Sequence, residues 1–370
     1  MRLLIDASSI NRKNVLASIP NYILRLIDGF LAYSSYEIIL LVDNNFKDFF
    51  ENKFPTITKH YLQRNYLLYR LPFLGEIYGR RKYKNAIAKI SYDIEIIASD
   101  QDRSTRIKPN HPRILVIHDL KSIKDGRFIQ KKRDISFYLF LINTAHSIVA
   151  ISDYTKNDLI KNFGVNKDKI SIIPNSVALS SAKEMPKFEI PDNYILYVNT
   201  LLPHKNPITL IKAYERIHNQ INHKIIFVGK TTTYWTKKIV PYIRKHGLQN
   251  NIIHLQDLEV KELQFLYSNA SLFVTTSKRE GFGYTPIEAA LSNVPVISST
   301  SEALPFSTQG LLNYYDPADD SNALAKKMFE VLNSPPNKEK LGAIAKRFKE
   351  IYSPKKQVER FSELIQGLNI

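Results

Sequence analysis

Two series of short apolar segments, separated by longer amphipathic stretches, constrain the fold of this 370-residue chain more than any other feature. The first series comprises LLID (3–6), EIILLV (37–42), IEIIA (94–98), ILVIH (114–118) and SIVAIS (147–152). The second comprises YILYV (194–198), KIIFVG (224–229), NIIHL (251–255), SLFVTT (271–276) and VPVISS (294–299). Buried parallel strands read as nearly continuous Val/Ile/Leu runs, and they need a covering crossover between them. The alternation therefore predicts two α/β domains, each built on a parallel sheet.

A polar, proline-containing stretch, SSAKEMPKFEIPDN (180–193), separates the two series. We assign an N-terminal domain to 1–180 and a C-terminal domain to 181–353, and the amphipathic pattern of 354–370 predicts a final helix. The most apolar stretch, 135–151, is interrupted by polar residues and is shorter than the roughly 20 residues of a membrane-spanning helix. It is predicted to be a buried helix that runs into a strand.

The chain contains no cysteine, which excludes disulfides, thiolate metal sites and a cysteine nucleophile. Its N-terminus, MRLLIDASSI, lacks the charged, apolar and small-residue order of a secretory signal. Both features predict a cytoplasmic protein. The formal net charge is +17, and 17 Lys/Arg against 7 Asp/Glu fall between Arg64 and Arg133. Such a field attracts nucleic acid, an acidic membrane surface or a phosphorylated substrate, and charge alone does not choose among them.

The window TTSKREGFGYTPIEAALSNVPVISS (275–299) carries the strongest functional signal. It begins at a predicted strand end and passes through a loop in which Gly281 and Gly283 permit close approach of a ligand. Phosphates and sugars bind at such strand-loop-helix junctions, where helix amides meet an anion. A carboxylate at Glu280 has no evident packing purpose there, which favours a ligand role.

A helix is predicted directly after this loop. Thr285 is placed to be the N-cap, Pro286 the first helical residue, and Glu288 the acidic residue of a capping box. Spacing alone leaves two roles open for Glu288, that of helix cap and that of ligand contact.

Four windows, in order along the chain, resemble the family 4 glycosyltransferases, which are retaining enzymes of the GT-B fold, also called glycosyltransferase group 1. The two glutamates of EGFGYTPIE, eight residues apart, resemble the family signature. The other windows are VIHDL (116–120), SIVAISDYTKNDLIKNFGVNKDKISIIPNSV (147–177) and YILYVNTLLPHKNPITLIKAYERI (194–217). The resemblance implies two Rossmann-like domains facing across a cleft, an acceptor-binding N-terminal domain, a donor-binding C-terminal domain, and a final helix that returns to the N-terminal domain.

The resemblance also implies roles for particular residues. Glu280 would hold hydroxyls of the donor sugar, Glu288 the ribose, and Lys205 the diphosphate, while His118 would lie near the transferred sugar; His118, Glu280 and Lys205 are the predicted catalytic residues. Family members usually carry a further basic residue where this chain has His204, so diphosphate binding is expected to depend more on Lys205 and on loop amides. The full predicted donor site is Lys205, His204, Glu280, Gly281, Phe282, Gly283 and Glu288.

Asp100-Gln101-Asp102 matches an Asp-x-Asp pattern that holds a divalent metal in a different transferase fold. Here it follows a predicted strand, and the resembling family needs no such metal. We therefore interpret it as a loop feature and expect no metal or other cofactor.

Cations alternate with Tyr, Phe and Leu in 64–84 and 124–140. Such a surface suits nucleic acid, an anionic bilayer or simple solvation. Because acceptors in the resembling family are often lipid-linked, we favour peripheral contact with the inner face of the cell membrane and expect no nucleic acid. The residues predicted for this membrane or acceptor surface are Arg80, Arg81, Lys82, Lys131, Lys132 and Arg133.

Together these features predict transfer of a hexose from a GDP-sugar or UDP-sugar to a saccharide or lipid-linked saccharide, in building surface polysaccharide or lipopolysaccharide. Mannose from GDP-mannose is favoured, since VNTLLPHKN (198–206) resembles members that use it. The alternatives are a UDP-sugar-dependent transferase or a sugar-nucleotide epimerase of the same fold. A nucleic-acid-binding protein would explain the charge but leaves Glu280 and Glu288 without a purpose.

Overall fold

The computed structural model describes residues 1–15, 17–69, 71, 73–120, 123 and 128–368, without the side chains of 128–130. The chain forms two compact units. Unit 1 comprises Met1–Ser176 and Pro354–Ile370, and unit 2 comprises Val177–Ser353. The chain therefore passes into unit 2 after Ser176, and its C-terminal segment belongs again to unit 1, as the family resemblance implied.

Unit 1 is built on a sheet of seven parallel strands in the order β3-β2-β1-β4-β5-β6-β7. The strands are β1 (Arg2–Asp6), β2 (Glu37–Asp43), β3 (Thr58–Leu62), β4 (Ile94–Ile97), β5 (Arg113–Ile117), β6 (Ser147–Ala150) and β7 (Ile170–Ile172). The helices before the crossing are α1 (Ser18–Tyr33), α2 (Lys47–Lys53), α3 (Tyr66–Tyr69), α4 (Leu74–Ile87), α5 (Phe128–Thr144) and α6 (Asp153–Phe163). Central strands such as β4 and β5 are buried along their whole length, which explains their largely apolar sequence. Their two charged residues, Glu95 and Arg113, pair with each other at 2.8 Å.

The C-terminal helix (Pro354–Gln366) packs on α1 in unit 1. A Cβ atom on Gly29 would come within 3.1 Å of Val358 Cγ2, so the small residue permits close approach of the two helices. The rings of Phe30 and Phe361 lie 5.7 Å apart between them, and both are fully buried. The apolar face of the amphipathic C-terminal helix is thus buried within unit 1.

The prediction that 135–151 is a helix running into a strand is confirmed, because α5 ends at Thr144 and β6 begins at Ser147. Within the described parts of the chain, no helix is both long enough and apolar enough to cross a membrane.

Unit 2 is built on six parallel strands in the order β10-β9-β8-β11-β12-β13. They are β8 (Tyr194–Val198), β9 (Lys224–Val228), β10 (Ile252–Leu255), β11 (Leu272–Thr275), β12 (Val296–Ser299) and β13 (Asn313–Tyr315). The helices are α7 (Pro207–Ile217), α8 (Val240–Lys245), α9 (Val260–Asn269), α10 (Tyr284–Leu291), α11 (Leu304–Ser307), α12 (Ser321–Asn333) and α13 (Lys338–Tyr352).

Each sheet has one place where the direction of strand succession reverses. In unit 1 it lies between β1 and β4, and in unit 2 between β8 and β11. The loops that follow such neighbouring strands diverge and leave a crevice at their carboxyl ends, where ligands of open α/β sheets bind. The prediction of two Rossmann-like parallel sheets is therefore confirmed. The two reversal points are the places where a ligand site is expected.

Candidate active site

The reversal point of unit 2 brings Lys205, from the loop after β8, against Glu280, from the loop after β11. Lys205 Nζ lies 2.6 Å from Glu280 Oε1, and the two side chains are only 12% and 14% exposed. The same oxygen accepts hydrogen bonds from Ser277 Oγ at 2.8 Å and from Asn199 Nδ2 at 3.3 Å. Three side chains from the loops after two adjacent strands thus meet at one oxygen of the Glu280 carboxylate.

The protonation state of Glu280 follows from these contacts. Burial alone would raise its pKa, but the Lys205 ammonium and the hydrogen bonds from Ser277 and Asn199 outweigh burial and hold the pKa below its usual range. The side chain is therefore ionised at neutral pH, and it can only accept hydrogen bonds. A carboxylate in this state suits sugar hydroxyls, which are donors.

The backbone around Lys205 is fixed by side-chain hydroxyl groups. The Lys205 carbonyl accepts hydrogen bonds from the Tyr197 hydroxyl at 2.7 Å and from Thr276 Oγ1 at 3.1 Å. Asn206 then takes a left-handed conformation, with φ of 57°, directly before α7. The neighbouring His204 contributes its carbonyl, which accepts the Lys278 amide at 2.9 Å. The loops after β8 and β11 therefore support each other.

The loop Glu280–Gly283 leads into α10 by a route that the sequence did not predict. Gly283, with φ of 92°, precedes the helix, and α10 begins at Tyr284. The predicted N-cap at Thr285 is therefore wrong, as is the capping box. The left-handed glycine turns the chain into the helix two residues before the predicted first helical residue, Pro286, and no side chain caps that end.

Glu288 consequently lies in the second turn of α10, and its carboxylate Oε2 accepts a hydrogen bond from the Tyr267 hydroxyl at 3.0 Å. Burial raises the pKa of Tyr267 well above its usual value, so the phenol remains a donor. Phe282, predicted at the donor site, has a ring that is 3% exposed and lies edge-on to Tyr352 at 5.4 Å. Its side chain fills the core, and only its backbone can serve a ligand.

His118 lies in unit 1, directly after β5, and is 7% exposed. Its ring Nε2 lies 2.9 Å from the Ala98 carbonyl, which assigns the proton to Nε2, and the ring stands edge-on to Tyr22. Its backbone amide donates to Asp100 Oδ2 at 3.2 Å. Burial lowers the pKa of His118, so the imidazole is neutral at pH 7.

Three residues at the Glu280 contact were absent from the sequence-based site: Asn199, Ser277 and Glu302. Glu302 Oε2 accepts the Glu280 amide at 2.9 Å. Asn199 and Ser277 closely follow β8 and β11, so the knowledge that these strands are neighbours would have identified them. Glu302 lies after β12 with φ of 50°, and no sequence signal marks it.

Asp100 and Asp102 hold the loop after β4. Asp102 pairs with Arg64 and accepts the Ser104 amide at 2.9 Å, which caps a short turn. Burial, followed by repulsion from Asp119, raises the pKa of Asp100 to about 8. Among the described residues, no group of three or more His, Asp or Glu side chains is placed to hold a metal ion.

Two residues of the predicted basic surface, Arg80 and Arg133, lie near one carboxylate in unit 1, together with Arg106. Glu76 lies 3.5 Å from Arg133, 3.7 Å from Arg106 and 4.0 Å from Arg80. The other residues predicted for this surface are exposed, namely Arg81, Lys82, Lys131 and Lys132. Parts of the two basic stretches lie outside the described residues, namely Arg70, Pro72 and 124–127.

Comparison with known families matches nearly the whole chain. The family described as Glycosyltransferase Family 4 matches residues 19–181, and the family described as Glycosyl transferases group 1 matches 180–348. The O-antigen chain mannosyltransferase RfbU of Salmonella typhimurium is 30% identical over 212 residues, which is 56% of this chain and 58% of the relative. The aligned part thus spans less than two thirds of that relative's length.

Solved structures share the fold at low identity. Sucrose-phosphate synthase from Thermosynechococcus elongatus superposes with a TM-score of 0.75 at 18% identity, covering 100% of this chain and 99% of the other. HepE of Anabaena, solved with UDP and glucose, gives a TM-score of 0.72 at 16% identity, covering 99% and 100%. Two consecutive family matches and two Rossmann-like sheets agree with the motif order. The chain belongs to the family 4 glycosyltransferases and has the GT-B fold.

Proposed function

We propose that the chain transfers a hexose from a nucleotide diphosphate sugar to a saccharide or lipid-linked saccharide, with retention of the anomeric configuration. The observation that carries this proposal is the Lys205–Glu280 pair at the reversal point of the unit 2 sheet, 2.6 Å apart and largely buried. The pair offers a cation for a diphosphate beside an ionised acceptor for sugar hydroxyls. Family membership supports the same reaction class.

Lys205 and Glu280 have complementary tasks in the proposed reaction. As the glycosidic bond breaks, negative charge develops on the leaving diphosphate, and a fixed ammonium stabilises that charge more than it stabilises the ground state. Glu280 meanwhile orients the sugar by accepting hydrogen bonds from its hydroxyls. Since Lys205 supplies the required positive charge, the reaction needs no metal ion.

The proposed step is attack from the face of the leaving group. The acceptor hydroxyl forms the new bond to the anomeric carbon as the bond to the diphosphate breaks, and a phosphate oxygen of the departing nucleotide takes the hydroxyl proton. No side chain forms a covalent bond to the sugar. The role of Glu280 is then positioning and electrostatic, in keeping with its engagement by Lys205, Ser277 and Asn199.

GDP-mannose is the proposed donor, and surface polysaccharide or lipopolysaccharide is the proposed destination of the sugar. The name of the Salmonella relative, a mannosyltransferase of O-antigen chains, supports both choices. UDP-sugars are also to be tested as donors, because HepE was solved with UDP bound. Peripheral contact with an anionic membrane through the exposed Arg81, Lys82, Lys131 and Lys132 would bring the enzyme to a lipid-linked acceptor.

The test is acceptor-dependent transfer, followed by NMR of the product. GDP-mannose and UDP-glucose are each incubated with the protein, with and without bacterial lipid-linked saccharides. We expect release of nucleotide only with acceptor and an α linkage from these α-configured donors. Donor conversion without acceptor would favour an epimerase, and a β-linked product would exclude retention.

A further inference from the structure

The loop after β12 holds the backbone of Glu280 at two atoms. Glu302 Oε2 accepts the Glu280 amide at 2.9 Å, and the Ala303 amide donates to the Glu280 carbonyl at 3.4 Å. Ala303 is fully buried, and α11 follows it directly, so this end of the loop is anchored. Two consecutive residues of a third loop thus fix the residue whose carboxylate pairs with Lys205.

The last residue of β12 supports a second point of the same segment. Ser299 is fully buried, and its Oγ donates to the Ser277 carbonyl at 2.7 Å. Ser277 Oγ in turn donates to Glu280 Oε1 at 2.8 Å. β12 and its loop therefore hold the backbone at Ser277 and at Glu280, and the position of the Glu280 carboxylate depends on both.

Glu302 has a left-handed backbone conformation, with φ of 50°. Glycine adopts such a φ without steric cost, whereas a residue that carries a Cβ atom is strained there. Strained residues of this kind persist where the surrounding structure imposes them, and they cluster at active sites. The Glu302 carboxylate supplies what a glycine would lack, which is an acceptor for the Glu280 amide. The strain therefore points to a function for the side chain.

We propose that Glu302 is a positioning residue of the transfer reaction, which fixes the Glu280 backbone so that the carboxylate meets the hydroxyls of the donor sugar in one orientation. The inference rests on the proposed function, in which Glu280 orients that sugar. A misplacement of about 1 Å can lower a rate about a hundredfold. Because Lys205 holds the diphosphate from another loop, Glu302 governs turnover rather than the affinity for a free nucleotide.

Three variants separate the hydrogen bond from the backbone strain. Glu302→Gln keeps an acceptor oxygen, Glu302→Ala loses it and keeps the strain, and Glu302→Gly loses it and relieves the strain. We expect Glu302→Ala and Glu302→Gly to lower kcat to the same extent, at least about tenfold, and Glu302→Gln to recover most of that loss. Glu302→Gly should nevertheless unfold at a higher temperature than Glu302→Ala. Wild-type turnover in both, or turnover that follows stability, would overturn the proposal.

Binding of free nucleotide separates positioning of the sugar contact from general damage to unit 2. GDP and UDP are each titrated by calorimetry into the wild type and into Glu302→Ala. We expect the affinity for the nucleotide that binds to stay within about threefold of the wild-type value, although kcat falls at least about tenfold. A loss of nucleotide affinity as large as the loss of kcat would overturn the proposal.

Gln309 is the matched control, because it is also left-handed, with φ of 55°, and lies just after α11. It is exposed, and its Nε2 donates to the nearby Phe306 carbonyl at 3.1 Å. Gln309→Gly should unfold at a higher temperature than Gln309→Ala, as at position 302, but both should keep wild-type turnover. Equal loss of turnover at both positions would mean that any change in this segment disturbs the site, and would overturn the proposal.

The amide proton of Glu280 gives a readout that needs no turnover. In NMR spectra of the ¹⁵N-labelled full chain, loss of the carboxylate acceptor in Glu302→Ala should move this proton upfield, whereas Gln309→Ala should leave it in place. An unmoved Glu280 amide in Glu302→Ala would overturn the proposal. Failure of sugar transfer in the wild type, with the upfield shift observed, would instead count against the proposed function alone.

Discussion

The Glu280 carboxylate is held by one cation and two neutral donors, and this arrangement makes its charge testable. Glu280→Gln keeps the size of the side chain but leaves the Lys205 ammonium without its buried counter-charge. We expect Glu280→Gln and Lys205→Ala each to lower turnover at least tenfold, about 1.4 kcal/mol of barrier. Steady-state kinetics under saturating donor measure this loss, with circular dichroism to confirm folding.

The matched control for Glu280→Gln is Glu330→Gln, since Glu330 is also in unit 2 and pairs with Lys327 at 2.8 Å, but on the exposed surface. An exposed pair of this kind contributes little, so turnover should stay near the wild-type value. Near-normal turnover in both Glu280→Gln and Lys205→Ala would contradict the assignment of the donor site.

The burial of His118 predicts that the stability of the folded protein depends on pH. Burial lowers its pKa in the folded protein below the ordinary value of 6.5, so the unfolded chain binds the proton more readily. The stability that depends on neutral His118 is therefore complete above pH 6.5 and is lost as the pH falls through the folded pKa. We expect the apparent unfolding temperature of the wild type to fall more between pH 7 and pH 5 than that of His118→Gln. Parallel curves for the two proteins would refute this.

The residues of the candidate site differ in how far the sequence could predict them. Glu280 and Lys205 lie in local motifs, and the structure brings their side chains together. Asn199 and Ser277 depend on which strands are neighbours, and that order is a property of the sheet rather than of either segment. Glu302 reaches the Glu280 amide through the packing of a third loop.

At the scale of elements, ten apolar runs corresponded to ten strands, and the two strands that neither the runs nor the resembling windows covered, β3 and β13, lie at sheet edges. An edge strand pairs with a neighbouring strand on one side only, and such strands are short or carry polar residues, here Lys59, His60 and Asn313. The predicted start of α10 is wrong because Gly283, in a left-handed conformation, leads the chain into the helix where the sequence predicts a side-chain cap.

The position of Gly283 directly before α10 predicts how its replacement by alanine changes stability. A Cβ at this position would meet Leu304 Cδ2 at 2.6 Å, and φ of 92° is strained for alanine. Gly310, with φ of 66°, would have nothing within 4 Å of an added Cβ, so it isolates the backbone cost. We expect Gly283→Ala to lower the free energy of unfolding by more than Gly310→Ala, which should cost about 1 kcal/mol. Denaturant titration measures both, and equal losses would contradict the close contact between Gly283 and Leu304.

The basic surface of α4 gives a second prediction at this scale. Arg81 and Lys82 are exposed, so replacing both with glutamine should reduce sedimentation with anionic vesicles, and raised salt should reduce it further. Lys237 and Lys238 form a matched exposed pair in unit 2, and their replacement should have little effect. Equal loss from both double variants would show general charge attraction instead of a membrane-facing surface.

At the scale of the whole molecule, the chain enters unit 2 once and returns to unit 1 through its C-terminal helix. Two series of apolar runs predicted two sheets because parallel strands must be buried on both faces. Composition predicts the domain limit at 180/181, whereas the chain passes into unit 2 after Ser176. Backbone contacts decide the limit here: the Val177 amide donates to the Tyr352 carbonyl at 2.8 Å, within unit 2.

We propose that unit 2 binds a nucleotide diphosphate sugar through Lys205 and Glu280. The most direct measurement is the apparent unfolding temperature with GDP-mannose, UDP-glucose, the free nucleotides and free mannose, because a ligand bound only by the native state raises it. We predict a rise with one nucleotide sugar, loss of that rise in Lys205→Ala, and its retention in Lys327→Ala. No rise with any nucleotide sugar, or an undiminished rise in Lys205→Ala, would contradict the claim.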